Sequence, residues 1–391
     1  MGAPPALGDP KGIVLKLRTG EIPFAAQRWF LTGHDGFLEE IEDRLSRVTQ
    51  GVAVMALQFI EGVPGSGKTT LLRLIQEIAF EKDFATCWLE VTSKGGQFTE
   101  SRLLVASVIR GIRVRTSTGM GDWDAVLKGF ASRLLAEFPN VEDETWDTRT
   151  ERLWGFITDR LSKYELPEKG VVDAVGSYVY AYEQQQPNRM RRIVEWFCGE
   201  PLSPSDLRNM VQAPARMDEK TALPLLRSVI PIMVEAGYPG LVLLVDEMVQ
   251  FTHEHHESQR QRTQDLVRSL YSGAVPRCLI FVGATPETIS DTVRGLRAHP
   301  GLHSRLGDHD VPNRDPESPR YIVNHLSKEE AAAVLRKLRS VYREAYGLRP
   351  NWLDGEEAGI LKAACPGDSV LARDFVIGAI RAMDAVRRPA R

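Results

Sequence analysis

The segment Gly62-Val63-Pro64-Gly65-Ser66-Gly67-Lys68-Thr69 constrains this chain more than any other. It fits the pattern Gly, four residues, Gly-Lys-Thr without mismatch, and it stands between stretches of different periodicity. Before it, Val52 to Gly62 (VAVMALQFIEG) is almost continuously apolar, as a parallel strand covered on both faces would be. After it, Lys68 to Phe80 (KTTLLRLIQEIAF) carries apolar residues at helical spacing. Strand, glycine turn and helix in this order predict a P-loop (Walker A). The glycines let backbone N–H groups converge on phosphate oxygens, and the helix N-terminus adds its partial positive charge. Lys68 is expected to reach the β and γ phosphates of ATP and Thr69 to ligate Mg2+, with Thr70 next in line.

The rest of the chain supplies an alternation of strands and helices. Gly36 to Val48 places Phe37, Ile41, Leu45 and Val48 on one helical face, and Phe84 to Val91 reads as a second strand after the P-loop helix. Gly240 to Glu247 and Arg277 to Thr285 predict a third and fourth strand, with a polar helix over about 258–272 between them. Between the second and third strands, residues 100–239 read as helices broken at Pro139, Pro167, Pro187, Pro201 and Pro204. From Ser327 only helices are expected, opening on the capping box of Ser327 and Glu330. The predicted fold is therefore α/β: an AAA+-like P-loop NTPase with a parallel sheet, a large helical insertion and a C-terminal helical lid domain. The expected division is a flexible arm at 1–12, an ATPase domain at 13–320 and the lid at 321–391.

Chemistry beyond the P-loop falls at strand ends. Asp246 closes the apolar run LVLLV and can hold the metal's water shell (Walker B). Glu247 follows and can deprotonate the attacking water, the arrangement of hydrolysing AAA+ ATPases. Thr285 ends the next strand, where a polar residue can sense the γ phosphate. Alternatively, it is an ordinary strand end. Arg305, with Arg297 in reserve, is expected to enter a neighbouring subunit's nucleotide site as an arginine finger, which makes the protein a homo-oligomer. Arg373, near the start of the last helix, is placed to contact the γ phosphate from the lid. Its alternative is a helix-face arginine paired with Asp374 or Asp368. Thr32-Gly33-His34-Asp35 lines the adenine pocket or forms a capped turn.

Composition excludes several classes and leaves others open. With 49 Lys plus Arg against 52 Asp plus Glu, the formal net charge is -3, so any basic surface must be local. Local groups do occur at Arg102, Arg110, Arg113 and Arg115, at Arg189, Arg191 and Arg192, and at Arg381, Arg387, Arg388 and Arg391, and these could contact DNA or be solvated helix faces. His253, His255 and His256 beside Glu254 and Glu257 lack a metal-ligand spacing and read as a solvated loop. Cys87, Cys198, Cys278 and Cys365 are scattered, as expected of reduced thiols in a cytoplasmic protein. Neither a signal peptide nor a membrane span is expected.

Taken together, the sequence resembles the ATP-binding proteins of the BREX phage-defence systems, the BrxD type. The resemblance rests on TGEIPFAAQRWFLTGHDGFLEEI, FIEGVPGSGKTTLLRLI, EWFCGEPLSPSDLRNMV, LPLLRSVIPIMVEAGYPGLVLLVDE, the GATPE strand end, LHSRL and LARDFV. It implies an ATPase acting in antiviral defence or a related DNA-processing system, beside a helicase or other partner. An alternative from another class is a nucleotide-gated interaction module that binds ATP with little turnover and recruits an effector.

Overall fold

The structure, a computed structural model, describes residues 9–23, 26–90, 98–115, 122–164, 168–212, 214, 216–248, 256–306 and 315–387. Helices α1 (Pro10–Leu17), α2 (Gln27–Phe30) and α3 (Asp35–Thr49) precede β1 (Leu57–Glu61), which leads through the glycine turn into α4 (Lys68–Glu81) and β2 (Ala85–Glu90). Then come α5 (Ser101–Gly111), the short strand β3 (Ile112–Arg113), α6 (Trp123–Glu137), α7 (Trp146–Ser162), α8 (Lys169–Glu183), α9 (Pro187–Phe197), α10 (Pro204–Arg208) and α11 (Ala222–Ala236). The alternation resumes with β4 (Leu241–Asp246), α12 (Glu257–Tyr271) and β5 (Cys278–Ala284), followed by α13 (Pro286–Ser290), a 3-10 turn at Leu296–Ala298, α14 (Pro300–His303) and β6 (Arg320–Ile322). The described chain closes with β7 (Leu326–Ser327), α15 (Lys328–Tyr346), α16 (Glu357–Ala364), β8 (Ser369–Val370) and α17 (Ala372–Arg387).

The main sheet has the order β3-β2-β4-β5-β1-β6 and is parallel except for β3. β1 and β2 are consecutive in sequence, yet β4 and β5 lie between them. The carboxyl ends of β4, β5 and β1 therefore stand side by side, the place where open α/β sheets bind ligands. Every residue of these three strands is buried, which accounts for their mostly apolar runs, the polar Gln58 and Glu61 of β1 being buried against their own partners. β1 starts five residues later than its apolar run predicts. Leu57 pairs with Ile280, so β5, beginning at Cys278, offers no ladder to residues upstream of about position 55.

Within the stretch from α5 to α11, four helices pack around α8, in which eleven of fifteen residues are buried. That explains its lack of a polar face: it is enclosed by α6, α7, α9 and α11. Gly176 on α8 is a close approach, since a Cβ there would lie 2.4 Å from the Trp154 ring.

At the far end of the chain the helices build their own core, and the N-terminus joins it. Ile13, Val14, Leu17 and Phe30 are buried in one cluster with Val334, Leu338, Tyr342, Phe375 and Ile380. α1 starts at Pro10, inside the segment expected to be an arm, with the Asp9 carboxylate accepting from the Lys11 N–H at 3.1 Å. The expected capping box is present at Ser327 and Glu330. The C-terminal part is not helices alone, because β7 and β8 pair as a short antiparallel ribbon.

A polar clamp ties α1 to this core. Arg18 donates through Nε and a terminal nitrogen to the two oxygens of Asp384, at 3.0 and 2.8 Å, and also to the Tyr346 hydroxyl at 2.9 Å. Tyr342 donates to Asp384 at 2.6 Å. Burial pushes the Asp384 carboxyl up, but the hydrogen bonds from Arg18 and Tyr342 outweigh it and hold it below its ordinary value. A carboxylate depressed in the folded state stabilises above its unfolded pKa, and that contribution is lost as pH falls through the folded value. The thermal stability of the wild-type protein should therefore fall below about pH 4. Asp384→Asn should lower the neutral-pH melting temperature and flatten that acid limb; an unchanged acid limb would refute the clamp's part in it.

Candidate functional site

The turn between β1 and α4 is held by its neighbours. The Gly62 N–H donates to the Ala284 carbonyl at 3.1 Å, so the turn begins locked to the end of β5. Gly65 and Gly67 have φ of +86° and +114°, a region that disfavours any side chain, and Gly67 is the N-cap of α4. A Cβ at Gly62 would lie 2.5 Å from Ser66 Oγ and 2.9 Å from the Val323 carbonyl oxygen.

Lys68 folds back over this turn, its ammonium donating to the carbonyls of Gly62 at 2.7 Å and Val63 at 3.0 Å. Burial pushes its pKa down, against the pull of Asp246, Glu247 and Glu287. Thr69 Oγ1 donates to Asp246 Oδ2 at 2.8 Å, and Asp246 Oδ1 accepts from the Glu247 N–H at 2.9 Å. Asp246 is buried, and Gly283 on β5 leaves it room: a Cβ there would lie 3.1 Å from Asp246 Oδ1. Glu247 is exposed and has φ of +57°. A non-glycine residue in that region costs on the order of 1–3 kcal/mol and turns the chain sharply after the strand.

These residues open onto a cleft of about 410 Å³, within the usual range for a small-molecule site. Its polar part is lined by Pro64, Gly65, Ser66, Gly67, Lys68, Thr69, Thr70, Asp246, Glu247, Thr285 and Arg373. Gly62 and Val63 do not line it and act through the carbonyls that receive Lys68. Thr285 is buried and caps α13, its hydroxyl accepting from the Thr288 N–H at 3.4 Å. Arg373 enters from α17, with its backbone N–H donating to the Gly65 carbonyl at 3.2 Å. His34 and Thr32 also line the cleft, and His34 Nδ1 lies 2.7 Å from the Tyr321 hydroxyl. Thr69 and Asp246 supply hard oxygen donors beside the glycine turn, the donor chemistry that Mg2+ takes.

Arg305 does not line the cleft. It is exposed, donates to Ser272 Oγ at 2.8 Å and lies over the Tyr271 ring. Arg297 sits half-buried in the 3-10 turn. Many of the local arginine groups meet acids within the chain: Arg102 with Glu100, Arg110 with Glu200, Arg115 with Asp83, Arg191 and Arg192 with Glu195. Arg387 pairs with Asp384, while Arg388 and Arg391 lie outside the described residues. So do His253 and His255, and among the described residues no group of three His, Cys, Asp or Glu is placed to hold a metal.

Two contributions escape a reading by motif. Ile22, Phe30, Leu31, Leu326, Val334 and Val376 form the apolar part of the cleft. In sequence they look like any core-facing residues, and only packing of α1, α2, α15 and α17 brings them to the P-loop. The other is Glu61, the residue before the turn. It lies in a buried ion pair with Arg320 on β6, with the guanidinium Nε and a terminal nitrogen each 2.8 Å from Glu61 Oε2. A run ending in FIE gives no hint of a partner 259 residues away.

A mostly parallel sheet with a glycine turn leading into a helix at its switch point is a mixed α/β architecture consistent with a P-loop fold. Residues 9–371 match the family described as BREX system ATP-binding protein BrxC/D, and the chain belongs to that family. Its role in phage defence is accordingly that of an ATP-binding protein. Neither a curated protein nor a solved structure matches the chain. Among the described residues no helix is long and apolar enough to cross a membrane.

Proposed function

We propose that the chain is a Mg2+-dependent ATPase of AAA+-like type. The observation that carries this reading is the contact of Thr69 with Asp246 next to Lys68, with Glu247 following at the same strand end. Lys68 exchanges its carbonyl contacts for the β and γ phosphates. Thr69 and Asp246 hold Mg2+, which neutralises phosphate charge when bound. Glu247 takes the proton of the attacking water, Thr285 orients that water, and Arg373 meets the γ phosphate from the C-terminal helices acting as a lid. The helices α5 to α11 form an insertion in the ATPase domain. Arg305, exposed and away from its own cleft, suits a finger entering a neighbouring subunit of a homo-oligomer in the cytoplasm. DNA and a helicase or other defence-system protein are the partners this reading assigns, supported by the family and by the exposed arginines.

The test is Mg2+-ATP turnover across protein concentrations, with and without duplex DNA. Turnover should vanish in Lys68→Ala and rise in specific activity with concentration. ATP binding with negligible turnover under every condition would instead support the nucleotide-gated module. Indifference to DNA at low salt would remove DNA from the reading.

A further inference from the structure

The apolar residues of the cleft can enclose the faces of a base, but they cannot tell one purine from another. Discrimination needs hydrogen-bonding groups at the base edge. In this part of the cleft such groups come from the turn after α2, where Leu31, Thr32 and His34 are lining residues. The Leu31 N–H returns to Gln27 O at 3.0 Å and ends the helix, whereas the N–H groups of Thr32 and Gly33 meet no acceptor among the described residues.

The turn is held at Thr32 by its own hydroxyl, which donates to the Phe30 carbonyl at 3.4 Å, at His34 by Tyr321, and from outside by α15. The Lys337 ammonium donates to the Leu31 carbonyl at 2.6 Å and to Thr32 Oγ1 at 3.2 Å. Lys337 lies one helical turn beyond Val334, which itself lines the cleft, so one face of α15 supplies both an apolar wall and the cation behind it. Burial pushes the Lys337 pKa down, against the attraction of Asp35, so these hydrogen bonds must offset a desolvation cost.

We propose that Lys337 is a positioning residue for the nucleobase: by holding Leu31 and Thr32, which both line the cleft, it fixes their main chain as the polar wall that selects adenine over guanine. Main-chain N–H donors complement N1 of adenine, an acceptor, and oppose the N1–H of guanine. Base selection is thereby tied to α15. This inference rests on the ATP-binding reading and adds the origin of its base preference.

The experiment measures binding of ATP, GTP and inorganic tripolyphosphate, each with Mg2+, to the full chain and its variants. Lys337→Met should weaken ATP about tenfold or more, the order expected for losing a hydrogen bond from a charged group. It should bring the ATP-to-GTP preference close to one and leave tripolyphosphate unchanged. Lys337→Arg keeps a cation and should retain most of the preference. Thr32→Val, which removes only the hydroxyl side of the contact, should shift the preference in the same direction as Lys337→Met and keeps the test open if that variant fails to fold. An unchanged ATP-to-GTP ratio in Lys337→Met and Thr32→Val overturns the inference. So does a parallel loss of tripolyphosphate, which marks a purely structural role. Wild-type protein that binds neither ATP nor tripolyphosphate overturns the nucleotide reading itself.

Discussion

Glu247→Gln is expected to bind Mg2+-ATP as the wild type does and to turn it over about 10²–10⁴-fold more slowly, the usual worth of a positioned general base. Glutamine keeps the size of the side chain and removes its basicity. It also keeps a Cβ at a residue with φ of +57°, so the backbone cost is the same in both proteins. Asp246 retains Thr69 and the following N–H, and the metal-holding oxygens are untouched. Single-turnover hydrolysis alongside equilibrium ATP binding separates the two effects. Normal turnover in the variant would refute the base role, whereas loss of binding would show that Glu247 serves the ground state.

The second large effect is on stability. Arg320→Met should destabilise the fold by about 3–5 kcal/mol, the cost of leaving one member of a buried ion pair behind. Both side chains are less than 5% exposed, at 4% for Arg320 and 3% for Glu61. By contrast, Arg28 and Glu81 are 52% and 54% exposed, and losing that pair should cost no more than about 1 kcal/mol. Arg320 also donates to the Leu306 carbonyl at 3.4 Å, and the Val323 N–H donates to the Glu61 carbonyl at 2.7 Å, so the pair joins β1, β6 and the segment after α14. Denaturant unfolding measures the loss. The double variant Glu61→Met with Arg320→Met should recover most of it, because no charge then stays buried; a single variant as stable as wild type would refute the account.

The glycine turn was legible because its geometry is local. Gly65 and Gly67 must adopt positive φ, Lys68 and Thr69 must open the helix, and all of this is written in eight consecutive residues. The strands around it were legible for a related reason: burial on both faces favours an apolar residue at nearly every position, as in LVLLV before Asp246. Periodicity was a poorer guide to length. The run from Val52 predicted a longer strand than β1, because a strand ends where its partner ends, and β5 begins only at Cys278.

Proximity across the chain was not legible. Asp246 stands 177 residues from Thr69, and the sequence offered it as a metal ligand by analogy of position, while the 2.8 Å contact depends on β5 lying between β4 and β1. The residues Ile22, Phe30 and Val376 reach the cleft because α1 packs on α15 and α17, an arrangement hidden in a segment whose first twelve residues read as a flexible arm. Arg305, expected in a neighbouring subunit's site, lies outside the cleft of its own chain, and nothing within one chain bears on that expectation.

By itself, the sequence determined the glycine turn, the acid pair that ends a buried strand and the α/β alternation, since each follows from short-range geometry and burial. Only the tertiary structure decided which groups share the cleft, which acid answers which arginine and which lysine holds the turn after α2. Those contacts join residues far apart in the chain, and their partners are set by strand order and helix packing rather than by any pattern along it.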